Sequence, residues 1–239
     1  MLDDADLVRG AGLLVMAFGA LLLVAIAPLW FVSSAVEASG AHVSARYGLL
    51  ELCTTALYPN ASTTNVCYRL HAALLPPSSH RVYEPGSVCA SFGANASAAT
   101  TVMAQITGLG THDTARYLTW ECDSPHLLSV GALLGLLALT LAGLVWVVAI
   151  AVMHQPLRAH ASFSTLWLLL SICYGWVFAE LFARAVWRRL IVGGLDHLSY
   201  GMGLLYLLVA YALHAHGLPV LALYQNRLQT RLDLGLTCV

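Results

Sequence analysis

Two pairs of polar side chains interrupt long apolar runs in this chain of 239 residues. Glu180 and Arg184 stand four residues apart, which on a helix places them on one face as an ion pair. His214 and His216 sit in a later apolar run. Carboxylates and imidazoles held in hydrocarbon are the groups from which proton and ion paths are made. Here Glu180 falls toward one end of its run and the histidines toward the opposite end, so they are poorly placed to share a ligand. The expectation is a structural ion pair and hydrogen-bonded histidines packed between helices. His154 and His160 flank a short connection, and two isolated histidines make no metal site. The chain holds no Gly-Lys-Ser/Thr loop, no His-Glu-x-x-His and no Gly-x-Ser-x-Gly. No enzyme activity, no metal and no cofactor is therefore expected.

A second set of reactive positions lies between residues 33 and 126. Cys53, Cys67, Cys89 and Cys122 share that segment with Asn60-Ala61-Ser62 and Asn95-Ala96-Ser97. Both triplets are N-glycosylation acceptors. An even number of cysteines beside two acceptors describes a segment folded in an oxidising, lumenal or extracellular space. Four cysteines allow three connectivities. Cys173, inside an apolar run, reads as a small packing residue. Cys238 reads as a reduced cytosolic thiol, with lipidation as a further use.

The elements that position these groups follow from composition. The chain is 59% hydrophobic and only 10% charged, with mean hydropathy +0.76. An ordinary soluble domain carries about 25% charged residues, so the lipid bilayer is the natural solvent. The net charge of −1 implies no attraction to nucleic acid. Runs of about 20 apolar residues are needed to span a bilayer. Four such runs are read, at about 10–32, 127–153, 163–187 and 198–224. The first is longer than a signal-peptide core and has no basic cluster before it, so it reads as a retained span. Four spans place both termini on one side. The cysteines and acceptors put residues 33–126 outside, which leaves the termini and the tail 225–239 in the cytosol. Arg184, Arg188 and Arg189 oppose this orientation under the positive-inside rule; Arg184 and Arg188 are expected to snorkel from the end of their helix. Gly131, Gly135, Ala138 and Ala142 form a small-residue stripe suited to close helix packing.

The outer segment is too long for a bare connection. Residues 47–52 and 114–120 are rich in β-formers and aromatics, with Pro and Gly turns between. Several short strands are expected, forming a small sheet that stands on the helices. The fold class is thus an all-α membrane four-helix bundle with a small extracellular antiparallel β-sheet, the whole chain 1–239 being one domain.

Trp30 just after the first span, Gly48-Leu49-Leu50, then Cys53 and Cys67, follow a recognisable order. This pattern resembles the first outer segment of the claudin-like tetraspan superfamily, which includes claudins, peripheral myelin proteins, clarins and calcium-channel gamma subunits. In that pattern the triplet is Gly-Leu-Trp, and Leu50 stands at the position of its Trp. Residues 68–76 resemble the leucine-rich stretch that claudins carry there, and Ser199-Tyr200-Gly201 resembles the entry to span four of gamma subunits. The second outer loop is shorter than in claudins and the first is longer. The resemblance implies a Cys53–Cys67 disulfide, which leaves Cys89 and Cys122 as a second pair. Closing a loop of that first size contributes about 3 kcal/mol.

The function expected from this resemblance is recognition. The disulfide-bonded outer sheet and the helix surfaces would bind other integral membrane proteins at the plasma membrane, as an auxiliary or regulatory subunit or a membrane organiser. A second reading is a claudin-type junction component forming a barrier or paracellular pore, disfavoured by sugars at Asn60 and Asn95. A third is a small transporter using Glu180, His214 and His216. The ending Thr237-Cys238-Val239 fits the Ser/Thr-x-apolar carboxyl terminus that PDZ scaffolds take up as an added strand, which makes Thr237 and Val239 candidate contacts.

Overall fold

The computed structural model describes residues 4–26, 31–36, 40, 42–48, 51–59, 62–71, 82–83, 87–107, 110–123, 127–153, 163–191 and 199–234. Two compact units divide the chain: one comprises residues 1–25, 128–180 and 205–239, the other residues 26–127 and 181–204.

The first unit is built from the greater part of four long helices, α1 (Asp4–Ile26), α5 (Leu127–Met153), α6 (Phe163–Ile191) and α7 (Met202–Asp233). Each contains a stretch long and apolar enough to cross a membrane: Ala5–Ala25, Val130–Met153, Phe163–Ala183 and Met202–Asp233. Only one stripe of each helix is buried. Leu7, Leu14, Ala17, Leu21 and Val24 form that stripe on α1, and Phe163, Leu166, Leu170, Tyr174 and Val177 form it on α6. The three- and four-residue steps are the helical period. Large apolar side chains cover the other faces, among them Val15, Leu134, Val148 and Ile172. An apolar core with an equally apolar exterior is the signature of a bundle solvated by lipid, where all backbone groups must pair within the helix.

Two boundaries differ from the sequence reading. The first helix begins at Asp4 and ends at Ile26, and Phe31 and Val32, assigned above to the first span, belong to a strand. The fourth helix begins at Met202 and continues to Asp233, well into the stretch read as a tail. Leu228 is buried on it, so packing continues past the last long apolar run. Among the described residues, Pro219 lies within α7 and is exposed. A membrane helix tolerates the loss of that backbone donor.

The second unit contains a six-stranded sheet and three further helices. The strands are β1 (Phe31–Val36), β2 (His42–Tyr47), β3 (Glu51–Leu57), β4 (Thr63–Arg69), β5 (Val82–Tyr83) and β6 (Ser199–Tyr200), in the spatial order β5-β4-β3-β2-β1-β6. β1 to β4 form an antiparallel meander in which Val43 and Ala45 face inward while His42 and Arg46 face out. That alternation is what one buried face requires. Gly40 takes φ +79° in the reversal between β1 and β2, a conformation that suits glycine. The sheet is not wholly antiparallel: β5 runs parallel to β4.

The helices α2 (Val88–Ala94), α3 (Ala96–Thr107) and α4 (Thr111–Asp123) are absent from the sequence reading, which expected strands throughout. Residues 114–120, assigned to a strand for their β-formers, lie inside α4. The burial period explains the correction. Thr114, Tyr117, Leu118 and Glu121 are buried, a spacing of three, four and seven residues, and Asp113 sits in the first turn, where a carboxylate favours the helix dipole. In α3 the buried set Thr100, Met103, Ala104 and Thr107 has the same spacing. Intrinsic β preference is overridden by the face each segment must bury.

Candidate functional site

Two disulfides hold the second unit together. Cys53 on β3 is bonded to Cys67 on β4, and the two occupy directly opposite register positions. Cys89 on α2 is bonded to Cys122 on α4. They enclose loops with sequence separations of 14 and 33 residues; closing such loops in the unfolded chain contributes about 3 and 4 kcal/mol. The two bonds do different jobs. The first reinforces a ladder already hydrogen-bonded. The second joins the beginning of the helical layer to its end, and the backbone N–H of Cys89 donates to the carbonyl of Leu70 at 3.0 Å, which fastens α2 to the end of β4.

Between these fastenings lies the core of the unit. Leu52, Leu70 and Leu118 are fully buried, and Tyr47 of β2 meets Tyr117 of α4 edge to face, with centroids 6.0 Å apart. Such aromatic pairs add about 0.5–1.5 kcal/mol beyond the area they bury. Glu121, beside Cys122, is also fully buried. Nothing in the sequence marked it as interior except its position one helical turn beyond Tyr117 and Leu118.

Glu51 lies with the Cys53 and Cys67 sulfurs in a group whose potential ligand atoms fall within 4.8 Å of one another. Both sulfurs are spent in the disulfide and neither is a thiolate, which is the form that binds metal. The group is therefore a covalent staple beside a carboxylate. Gly48 is buried, and its N–H donates to the carbonyl of Glu51 at 2.8 Å in the reversal between β2 and β3. Trp30, Leu49 and Leu50 lie outside the described residues, as do Asn60, Thr237 and Val239. Asn95 is described and exposed. It sits between α2 and α3, and its Oδ1 accepts the N–H of Ala98 at 3.1 Å, capping α3.

Among the described residues, the four-helix unit carries a buried polar node that joins three helices. His214 of α7 is fully buried. Its Nε2 lies 3.0 Å from Thr140 Oγ1 of α5, and its Nδ1 lies 2.9 Å from the Tyr174 hydroxyl of α6. The single hydroxyl proton of Thr140 is donated to the carbonyl of Leu136 at 2.6 Å. The ring also hydrogen-bonds the backbone of Ala210, one turn back on its own helix. Tyr174 also meets Tyr211 edge on, with centroids 5.3 Å apart.

The other intramembrane candidates do not converge on this node. His216 is exposed while His214 is buried, so the two histidines occupy different faces of α7. Glu180 is half-buried on α6, and the side chain of Arg184 lies outside the described residues. The node's other members, Thr140 and Tyr174, were missed in the sequence. A threonine alone among leucines, at 140, was the one available signal.

Near the chain ends, Arg227 of α7 donates to Asp6 of α1 at 3.2 Å. The pair is exposed and adds little stability, but it sets the start of α1 beside the last turns of α7. The small-residue stripe on α5 is only partly a packing surface. A Cβ on Gly131 would meet nothing, and one on Gly135 would lie 3.3 Å from Cys173 Sγ. The close approach is at Gly143, where a Cβ would lie 2.8 Å from Leu166.

No protein-family model matches this chain, and no curated protein matches it.

Proposed function

We propose that this chain is a non-enzymatic, four-span membrane protein of the claudin-like tetraspan class. Its disulfide-fastened unit recognises other integral membrane proteins. The observation that carries this reading is the pair of disulfides, which joins all four cysteines of the segment between α1 and α5. Disulfides persist in oxidising compartments, so that segment faces the lumen and then the cell exterior, with both termini cytosolic and the plasma membrane as destination. The exposed Asn95 acceptor agrees with this orientation. A sheet and helical layer held by two covalent bonds offers a preorganised surface, which lowers the ordering cost of association. The chain then acts as an auxiliary subunit or organiser of a partner in the same membrane. A transport role draws less support, because both nitrogens of His214 are engaged in helix-to-helix hydrogen bonds and His216 faces away from that node.

The test is capture of partners from mild detergent by the full-length protein, followed by mass spectrometry. The reading expects a specific integral membrane partner that is lost with Cys89→Ser and retained with His216→Ala. Retention of the partner by Cys89→Ser, or the finding of free thiols at positions 53, 67, 89 and 122 in the mature protein, rejects it.

A further inference from the structure

Beside β4 the second unit has an open cavity of about 570 Å³, whose walls include Tyr68, Arg69, Asn95, Ala98, Val102 and Ile106. That volume falls within the range of about 300–1,000 Å³ typical of small-ligand sites. Its helical wall combines residues of α2 with one face of α3, followed at three- and four-residue steps from Asn95 to Ile106, a length of about 16 Å. The face begins with small alanines and then turns apolar. Val102 is 51% exposed, an apolar side chain left open to solvent in the middle of the wall. Arg69 of β4, half-buried, also lines the cavity. Apolar walls beside a half-buried tyrosine and a guanidinium suit a sugar, whose C–H faces pack on aromatic and aliphatic groups while its hydroxyls accept from charged donors.

The wall also contains the point where a sugar would be attached. Asn95 opens the acceptor triplet Asn95-Ala96-Ser97, is exposed, and lines the cavity. Its carboxamide is oriented by the bond from Ala98 N–H to Oδ1. That bond uses the oxygen and leaves Nδ2, the atom that carries an N-linked glycan. Helix capping and glycosylation are therefore compatible at this residue. Attachment forms a bond between Nδ2 and the anomeric carbon of a lipid-diphosphate-linked oligosaccharide. It breaks the anomeric carbon–oxygen bond and releases the lipid diphosphate and a proton.

We infer that this cavity seats the first sugars of the glycan carried by Asn95, so that the glycan is a packed part of the fold that covers Val102. The inference rests on the outward orientation proposed above. The groove's occupant begins covalently at its own wall, which distinguishes it from a free ligand that would have to be captured.

The experiment uses the full-length protein expressed in cells that attach N-glycans and purified in mild detergent. A peptide amidase that cleaves N-glycans converts each released Asn to Asp, which is read by mass spectrometry at positions 60 and 95 under native and denaturing conditions. The seat predicts glycan at both positions, with native release about tenfold slower at Asn95, because a packed sugar must wait for local opening. Ala98→Trp fills the groove while leaving the acceptor triplet unchanged and keeping the backbone N–H that donates to Asn95, and it should bring native release at Asn95 up to the rate at Asn60. Glycan at Asn60 but none at Asn95 overturns the seat and leaves the orientation standing. Glycan at neither position overturns both. Equal native release at the two positions in the unaltered protein, or protection at Asn95 that survives Ala98→Trp, shows a sugar merely hanging from the surface or shielded elsewhere, and the seat is wrong.

Discussion

His214 shows how much a single side chain can organise when its ring nitrogens bridge two neighbouring helices from a third. Removing the imidazole strands the Tyr174 hydroxyl in a buried position and opens a cavity, since His214 is fully buried. His214→Ala should lower stability by about 2–4 kcal/mol, from the lost volume together with an orphaned hydroxyl. Tyr174→Phe alone removes one interhelical bond and should cost about 1 kcal/mol, as such bonds do in membrane proteins. In the His214→Ala background the same Tyr174→Phe change should be neutral or stabilising, because the phenol no longer has its partner there. Thermal unfolding of the four proteins in one detergent gives this cycle directly, and additive losses would mean the two groups are not coupled. The sequence showed the histidine and its apolar setting. It did not show the partners, because Thr140, Tyr174 and His214 come together only through the packing of three helices.

At the scale of elements, glycine positions separate surfaces that pack from surfaces that merely look as though they should. A Cβ on Gly10 would lie 2.5 Å from Leu221 Cγ, and one on Gly217 would lie 3.0 Å from the Cβ of Leu13, which no rotamer change can move. Gly217→Val should therefore force α1 and α7 apart and cost about 1–3 kcal/mol, the usual range for overpacking. Gly12→Ala and Gly131→Ala meet nothing and should be neutral or stabilising by up to about 1 kcal/mol through helix propensity. Melting temperatures in detergent check the contrast. Gly131 belongs to the stripe that spacing alone marked as a contact face, so small-xxx-small spacing identified the right helix and only part of the right face. The four long helices were legible because a run of apolar residues of bilayer length has few other uses. Helix α4 was not, because its Thr, Tyr and Trp residues favour strands locally and its helical period shows only once the buried side is known.

At the scale of the whole molecule, the second unit depends on covalent bonds more than the first. Its helical layer is short, and Cys89–Cys122 spans it. Replacing that pair with alanines should make residues 87–123 the first target of limited proteolysis in the full-length protein. Replacing Cys53 and Cys67 should have a smaller effect, because their strands retain their ladder and the lost loop is the shorter one. Band patterns over a protease time course compare the two. If the two replacements are equally protease-sensitive, the division of labour between the bonds is wrong. The cysteines and their segment were readable from composition and spacing. The mixture of sheet and helices they fasten was not, since spacing says which thiols are near in sequence and nothing of the layer each one lies in.

The pairing of Phe31 with Tyr200 and Val32 with Ser199 sets a schedule for synthesis. The last of these strands is translated after the third long helix, so Phe31 and Val32 at the outer edge of β1 gain this partner only after residue 200 has left the ribosome. An exposed strand edge is open to pairing with other chains, and contacts between distant residues form late. A polypeptide that terminates before residue 199 would carry both disulfides and four of the five strand pairings while leaving Phe31 and Val32 without that partner. The start of β1 is thus the part of the sheet that waits longest for its partner.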